Sequence, residues 1–182
     1  MSKNFWFGLL AISFVSGCAG LPRTAEMQEE KLVKALPVIT QSFASPTIRP
    51  GDPWKVYLNA YDPEGKMKNI VYTISQPGVG TYPVSITRIR EGNRKQLSGY
   101  MYLNTAGPDD LNFLNLTLTV QIQDTVGQYS KPVEFPLSLN KTYQQEPPPS
   151  GIFKESNLGP IMIQLRTIRD EGPGLFERRR FP

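Results

Sequence analysis

Histidine is missing from all 182 residues, and cysteine occurs once, at position 18. Without histidine there is no Ser-His-Asp triad, no Cys–His nucleophile and no imidazole-ligated metal. A single cysteine also excludes an intrachain disulfide and a thiolate zinc cluster. Long hydrophobic runs are scarce: the apolar stretch at residues 5–15 is eleven residues long, whereas a membrane-spanning helix needs about 20. Charge of one sign is lacking too. Twenty Lys and Arg oppose sixteen Asp and Glu for a net +4, and the only basic cluster is Arg178-Arg179-Arg180. No basic stripe of the kind that reads nucleic acid is present, so nucleic acid is not expected as a partner. No cofactor motif stands out, and a stable fold has to rest on its apolar core.

What is there begins with the lone cysteine. Lys3 precedes the apolar stretch, which closes on the small residues of Val15-Ser16-Gly17-Cys18. A positive start, a short apolar region and small residues at the end form a secretory signal. The Val-Ser-Gly-Cys run resembles the lipobox of bacterial lipoproteins. That resemblance implies a signal peptide at 1–17, thioether lipidation of Cys18 and acylation (palmitate) of the new amino terminus. Several acyl chains anchor stably where one does not, so the membrane is an expected partner. Ala19, in place of Asp, implies the outer membrane of a Gram-negative envelope, with the protein lipid-anchored at the periplasm. Residues 18–36 then read as a flexible lipidated tether, in which Glu29, Glu30, Lys31 and Lys34 support a helical turn or two.

From residue 37 to 141 the pattern turns to period two. Leu114, Leu116, Leu118, Val120 and Ile122 alternate with Asn115, Thr117, Thr119, Gln121 and Gln123, which predicts a strand with one face in a core and one in water. The same alternation turns Trp54, Val56, Leu58 and Ala60 inward, as it does Ile70, Tyr72 and Ile74. It also predicts Tyr82, Val84 and Ile86 inward, then Leu97, Met101 and Leu103, then Val133, Phe135, Leu137 and Leu139. With VITQSF near Val38 this gives about seven strands, separated by Gly, Pro, Asp and Asn turns. The expected fold is all-β, an antiparallel sandwich. Pro83 and Pro136 cannot donate to a ladder, which suits edge strands or bulges and would make their strands natural sheet edges.

Pro50-Gly51-Asp52 before one strand, Asp62-Pro63-Glu64-Gly65 after it, and Asp124-Thr125-Val126-Gly127 before the last resemble bacterial immunoglobulin-like domains of the fibronectin III, PKD and cadherin-like type. The resemblance implies an immunoglobulin-like β-sandwich over about 100 residues and carries little about function. Beyond it, residues 142–182 read as a Pro-rich linker, Pro147-Pro148-Pro149, followed by an alternating stretch at 160–168 and a basic tail. That stretch suits an extra strand, docked on the domain's own sheet edge or added to a partner's.

Three surfaces carry candidate chemistry. In an immunoglobulin-like topology Asp62, Glu64 and Asp124 share one end of the sandwich, and hard oxygen ligands suit calcium; ordinary turn chemistry is the reading the residues favour. Tyr57, Asn59 and Tyr61 on one strand, with Tyr100, Tyr102 and Asn104 on its neighbour, predict an exposed tyrosine face. Such a face serves protein interfaces or sugar stacking, or only cross-strand packing. Arg178 to Arg180 could meet anionic headgroups. The sequence therefore points to a non-catalytic envelope interaction or assembly module that binds another protein, with polysaccharide or cell-wall binding through the tyrosine face as the alternative.

Overall fold

The computed structural model describes residues 36–106, 111 and 113–166. Cys18 and its lipobox, the tether up to residue 35 and the tail with Arg178, Arg179 and Arg180 lie outside the described residues.

The described chain contains ten strands. They are β1 (Val38–Ala44), β2 (Thr47–Ile48), β3 (Trp54–Tyr61), β4 (Met67–Gln76), β5 (Gly80–Thr81), β6 (Ser85–Arg88), β7 (Gln96–Leu103), β8 (Asn115–Asp124), β9 (Val133–Leu139) and β10 (Asn157–Ile161). One sheet has the order β1-β3-β7-β10; the other runs β2-β9-β8-β4-β5, with β6 also paired to β4. The protein is an all-β sandwich. The partition of β3 and β7 against β4, β8 and β9 is the B–E and C–F–G division of an immunoglobulin-like fold.

Alternation places the core as expected. Val56, Leu58, Ile74, Leu118, Val120, Ile122 and Leu139 are fully buried between the sheets, together with Trp54 and Tyr72. β4, β7 and β8 bury every second residue over most of their length because side chains alternate across the pleat. The first strand divides at Ser45-Pro46: β1 joins one sheet, and β2 crosses to pair in parallel with β9. Trp54 fixes that crossing by donating its indole N–H to the Ser45 carbonyl at 2.8 Å.

The count exceeds seven for physical reasons. One is the β1/β2 division; another is a break at Tyr82-Pro83-Val84 that separates β5 from β6. That break also shifts the phase. Tyr82 is buried, but so is Ser85, three residues on. Val84 and Ile86, expected inward, are 58% and 56% exposed. An odd number of residues across an interrupted strand turns the pleat over. Pro83 falls in the break rather than in a strand. Pro136 lies in β9 beyond the reach of β2, which meets only Ser138 and Leu139, so its missing N–H falls on an open edge.

The largest difference is at the C-terminal side. Two pairings are parallel rather than antiparallel, and one of them is β10 on β7. β10 occupies the place beside β7 that strand D takes in an immunoglobulin-like sheet, and it also abuts β6, where the Thr87 hydroxyl donates to the Pro160 carbonyl. Ile161 and Leu165 are buried, and Leu158 and Ile163 pack on the core. This strand, at 157–161, meets the stretch read at 160–168 only in Pro160 and Ile161. Parts of 144–166, read as linker and possible strand, pack on the sandwich. Gly99 permits the approach: a Cβ there would drive into the Ser156 carbonyl oxygen and the Leu158 side chain.

Candidate functional site

The three carboxylates of the calcium candidate do come to one end of the sandwich, where the Thr125 amide donates to the Lys66 carbonyl at 3.0 Å. They are nevertheless occupied. Asp62 accepts the Glu64 and Lys66 amides at 2.9 and 2.8 Å, and Asp124 accepts those of Val126 and Gln128 at 2.9 and 2.8 Å. Each carboxylate caps its own turn. The cation beside them is Lys66, paired with Glu64 at 2.5 Å. Its bond to Glu64, then the charges of Asp62 and Asp124, raise its pKa above the ordinary 10.5. Among the described residues no group of three or more acidic, His or Cys side chains is arranged to hold a metal ion.

The tyrosine rows are neighbours as expected: Tyr57 sits directly opposite Tyr100, Lys55 opposite Tyr102 and Asn59 opposite Ser98. They do not form a bare face. The chain returns across them as a strap between Gln145 and Ser156. Gln145 accepts the Lys55 amide at 2.8 Å, and the Ser98 hydroxyl accepts the Lys154 amide at 3.1 Å. Phe153 lies on Tyr57 with ring centroids 5.6 Å apart, and Tyr57 meets Tyr100 at the same distance. Tyr57 is consequently only 3% exposed. Tyr100 and Tyr102 are half-buried, and Tyr61 and Asn104 remain exposed.

Glu155 latches the strap. It accepts the Tyr57 hydroxyl at 2.9 Å and the Lys55 amino group at 3.3 Å, and that amino group also stands 4.3 Å over the Tyr100 ring. Burial, then the bond to Glu155, raises the Tyr57 phenol above its ordinary 10.0. Burial works against the charge on Lys55, but Glu155 and Tyr57 outweigh it and raise its pKa above 10.5. Burial pushes the Tyr72 phenol up further still. All three shifts are upward, so their contribution is complete below the unfolded values and is lost as pH rises through the folded ones. With no histidine to titrate, the denaturation midpoint should be level from neutrality to about pH 9 and fall above about pH 10, as denaturant titrations across that range would record.

Two surfaces are open, one that the sequence did not single out and one that takes in Asn59 and Tyr61 of the expected tyrosine face. The first is the edge of β1: β3 pairs with one side of this strand, and among the described residues no strand pairs with the other. Its seven residues carry no charge and no proline, and a bulge lies between Ile39 and Gln41. The second is a groove between the strap and the row formed by Tyr61 and Gln96, with a volume of about 430 Å³. Its floor includes Gln41, Asn59 and Ser98, and Ile152 lies on its wall. Asn59 is held by donating to the Gln41 side chain at 2.7 Å and to the Ile152 carbonyl at 2.9 Å. Amides on outward strand positions are a readable signal; that a returning segment would wall them is not.

Among the described residues, fold and surfaces together describe a two-sheet sandwich with an uncharged open edge at β1 and a walled polar groove beside Tyr61. No protein-family model and no curated protein matches the chain. Among the described residues no helix is long and apolar enough to cross a membrane.

Proposed function

We propose that this chain is a lipid-anchored, non-catalytic module of the bacterial cell envelope that binds another protein by accepting one of its strands on the edge of β1. The lipobox residues Val15 to Cys18 support the anchor, and Ala19 supports the outer membrane as its location. The observation that carries the binding mode is the condition of β1. Free sheet edges template pairing with other chains, and proteins ordinarily blunt them with charge, proline or a covering segment. Here β10 shields β6 and β7, while Pro136 and Glu134 blunt the open part of β9. Among the described residues β1 has only its bulge, and it presents VITQSFA. Strand addition takes affinity from main-chain bonds and specificity from alternate side chains, which suits an assembly component without catalytic groups.

The test is recovery of the full-length lipidated protein from detergent-solubilised envelope, beside Ser42→Lys. Ser42 is exposed, so this variant should match the parent's stability within about 0.5 kcal/mol, while its charge obstructs a partner strand. One stoichiometric protein is expected with the parent, at least tenfold reduced with Ser42→Lys. Equal recovery by both, or no protein partner with the parent, overturns the reading.

A further inference from the structure

We propose that the groove beside Tyr61 binds an uncharged saccharide. Its wall and floor are rich in groups that suit such a ligand. Gln41 and Gln96 supply planar amides, a group able to donate and accept at once, as neighbouring sugar hydroxyls require; Asn59 spends its amide N–H groups on Gln41 and the Ile152 carbonyl and orients Gln41. Ser98 adds a hydroxyl. Tyr61 is 43% exposed and offers a flat apolar ring with a polar tip. Lys154 is the single charged residue of the lining, and it is itself exposed. A site for phosphate, nucleotide or an acidic chain would need paired basic groups, and none lines this groove.

Geometry supports the same class. A volume of about 430 Å³ falls within the range of about 300–1,000 Å³ for ligand clefts. The Gln41 amide is already positioned, because Asn59 donates to it and is itself fixed by the Ile152 carbonyl. That pair needs little further side-chain ordering on binding. The floor consists of side chains on a paired sheet, with strands β1, β3 and β7 hydrogen-bonded to one another, so it offers no free main-chain row to an extended peptide. The strap thus has two effects: it takes Tyr57 out of reach and converts the end of the tyrosine row into a walled site. This inference does not rest on the strand-addition reading.

The experiment is protein-observed NMR on the full chain in detergent micelles, titrated separately with chitotetraose, cellotetraose and maltotetraose. At least one sugar should give saturable shifts at the side-chain amides of Gln41, Asn59 and Gln96. Tyr61→Ala should abolish saturation, and Gln96→Ala should weaken binding at least tenfold. Both side chains are exposed, and an unchanged amide spectrum away from the groove verifies folding. A retained affinity in both variants, or no shift at these amides with any of the three sugars, overturns the proposal. Shifts confined to β1 on adding the partner protein, with the amides silent to sugar, assign this end to protein binding alone.

Discussion

Shortening the chain to end at Tyr143 should lower stability by about 3 kcal/mol or more. Fully burying one Leu or Ile side chain contributes about 1.5–3 kcal/mol, and the cut removes both Ile161 and Leu165, which are 3% and 6% exposed. It also strips Phe153 from Tyr57 and leaves the β7 edge without β10. Against a total of about 5–15 kcal/mol for an ordinary domain, that is a large share. The midpoint of thermal unfolding should fall by roughly 10 °C or more, with dye-binding apolar surface at ambient temperature. A midpoint within 2–3 °C of the parent would mean that residues 144–166 add nothing to the core. The expected loss has a practical side: a partner missing from the shortened chain would report unfolding as readily as a lost contact. Ser42→Lys avoids that ambiguity.

Trp54→Ala should cost about 3–5 kcal/mol, the range for emptying an aromatic site in a core. Trp54 is fully buried, and its indole N–H bonds the Ser45 carbonyl where the first strand leaves one sheet for the other. The Ser45 hydroxyl in turn donates to Thr47 and accepts the Glu146 amide at the start of the strap. Losing the indole therefore opens a cavity and frees the crossing together. Trp54→Phe separates the two: it keeps much of the volume but leaves a buried carbonyl without its donor, about 1–3 kcal/mol. Denaturant titrations should rank parent, Phe, then Ala. Equal stability of the two variants would assign the whole effect to the lost hydrogen bond.

The parts of this fold legible in the sequence are those governed by nearest neighbours. The uninterrupted alternation of β8 placed Leu116 to Ile122 on the core face, and the core faces of β3 and β7 were placed in the same way; that these two strands are neighbours came from the resemblance, and the register that sets Tyr57 opposite Tyr100 was not legible. Alternation failed where a strand is interrupted, so Val84 and Ile86 were assigned to the wrong face. The Asp62 and Asp124 turns were legible as turns, and the structure makes each carboxylate a cap on its own backbone. Lys66 as their neighbouring cation needed two loops brought together. The tyrosine rows were found, but their exposure was not readable. What covers Tyr57 is Phe153 and Glu155, more than ninety residues away in the chain, and no local pattern marks that encounter. The groove is built of the same long-range contact, so its amides were visible only as outward positions.

The position of β10 has a consequence for how the molecule comes to be made. Synthesis delivers the chain amino end first, and parallel pairing between distant segments is slow to form. Until residue 161 has arrived, the gap between β6 and β7 stays unsealed, and nearly the whole hydrophobic interior is already committed on either side of it. Two nascent copies side by side could each accept the other's closing arm, the low-cost exchange that yields swapped dimers. The seal that gives the finished protein its shielded edge is thus also the step at which crowding and timing decide between a single closed molecule and an interlocked pair.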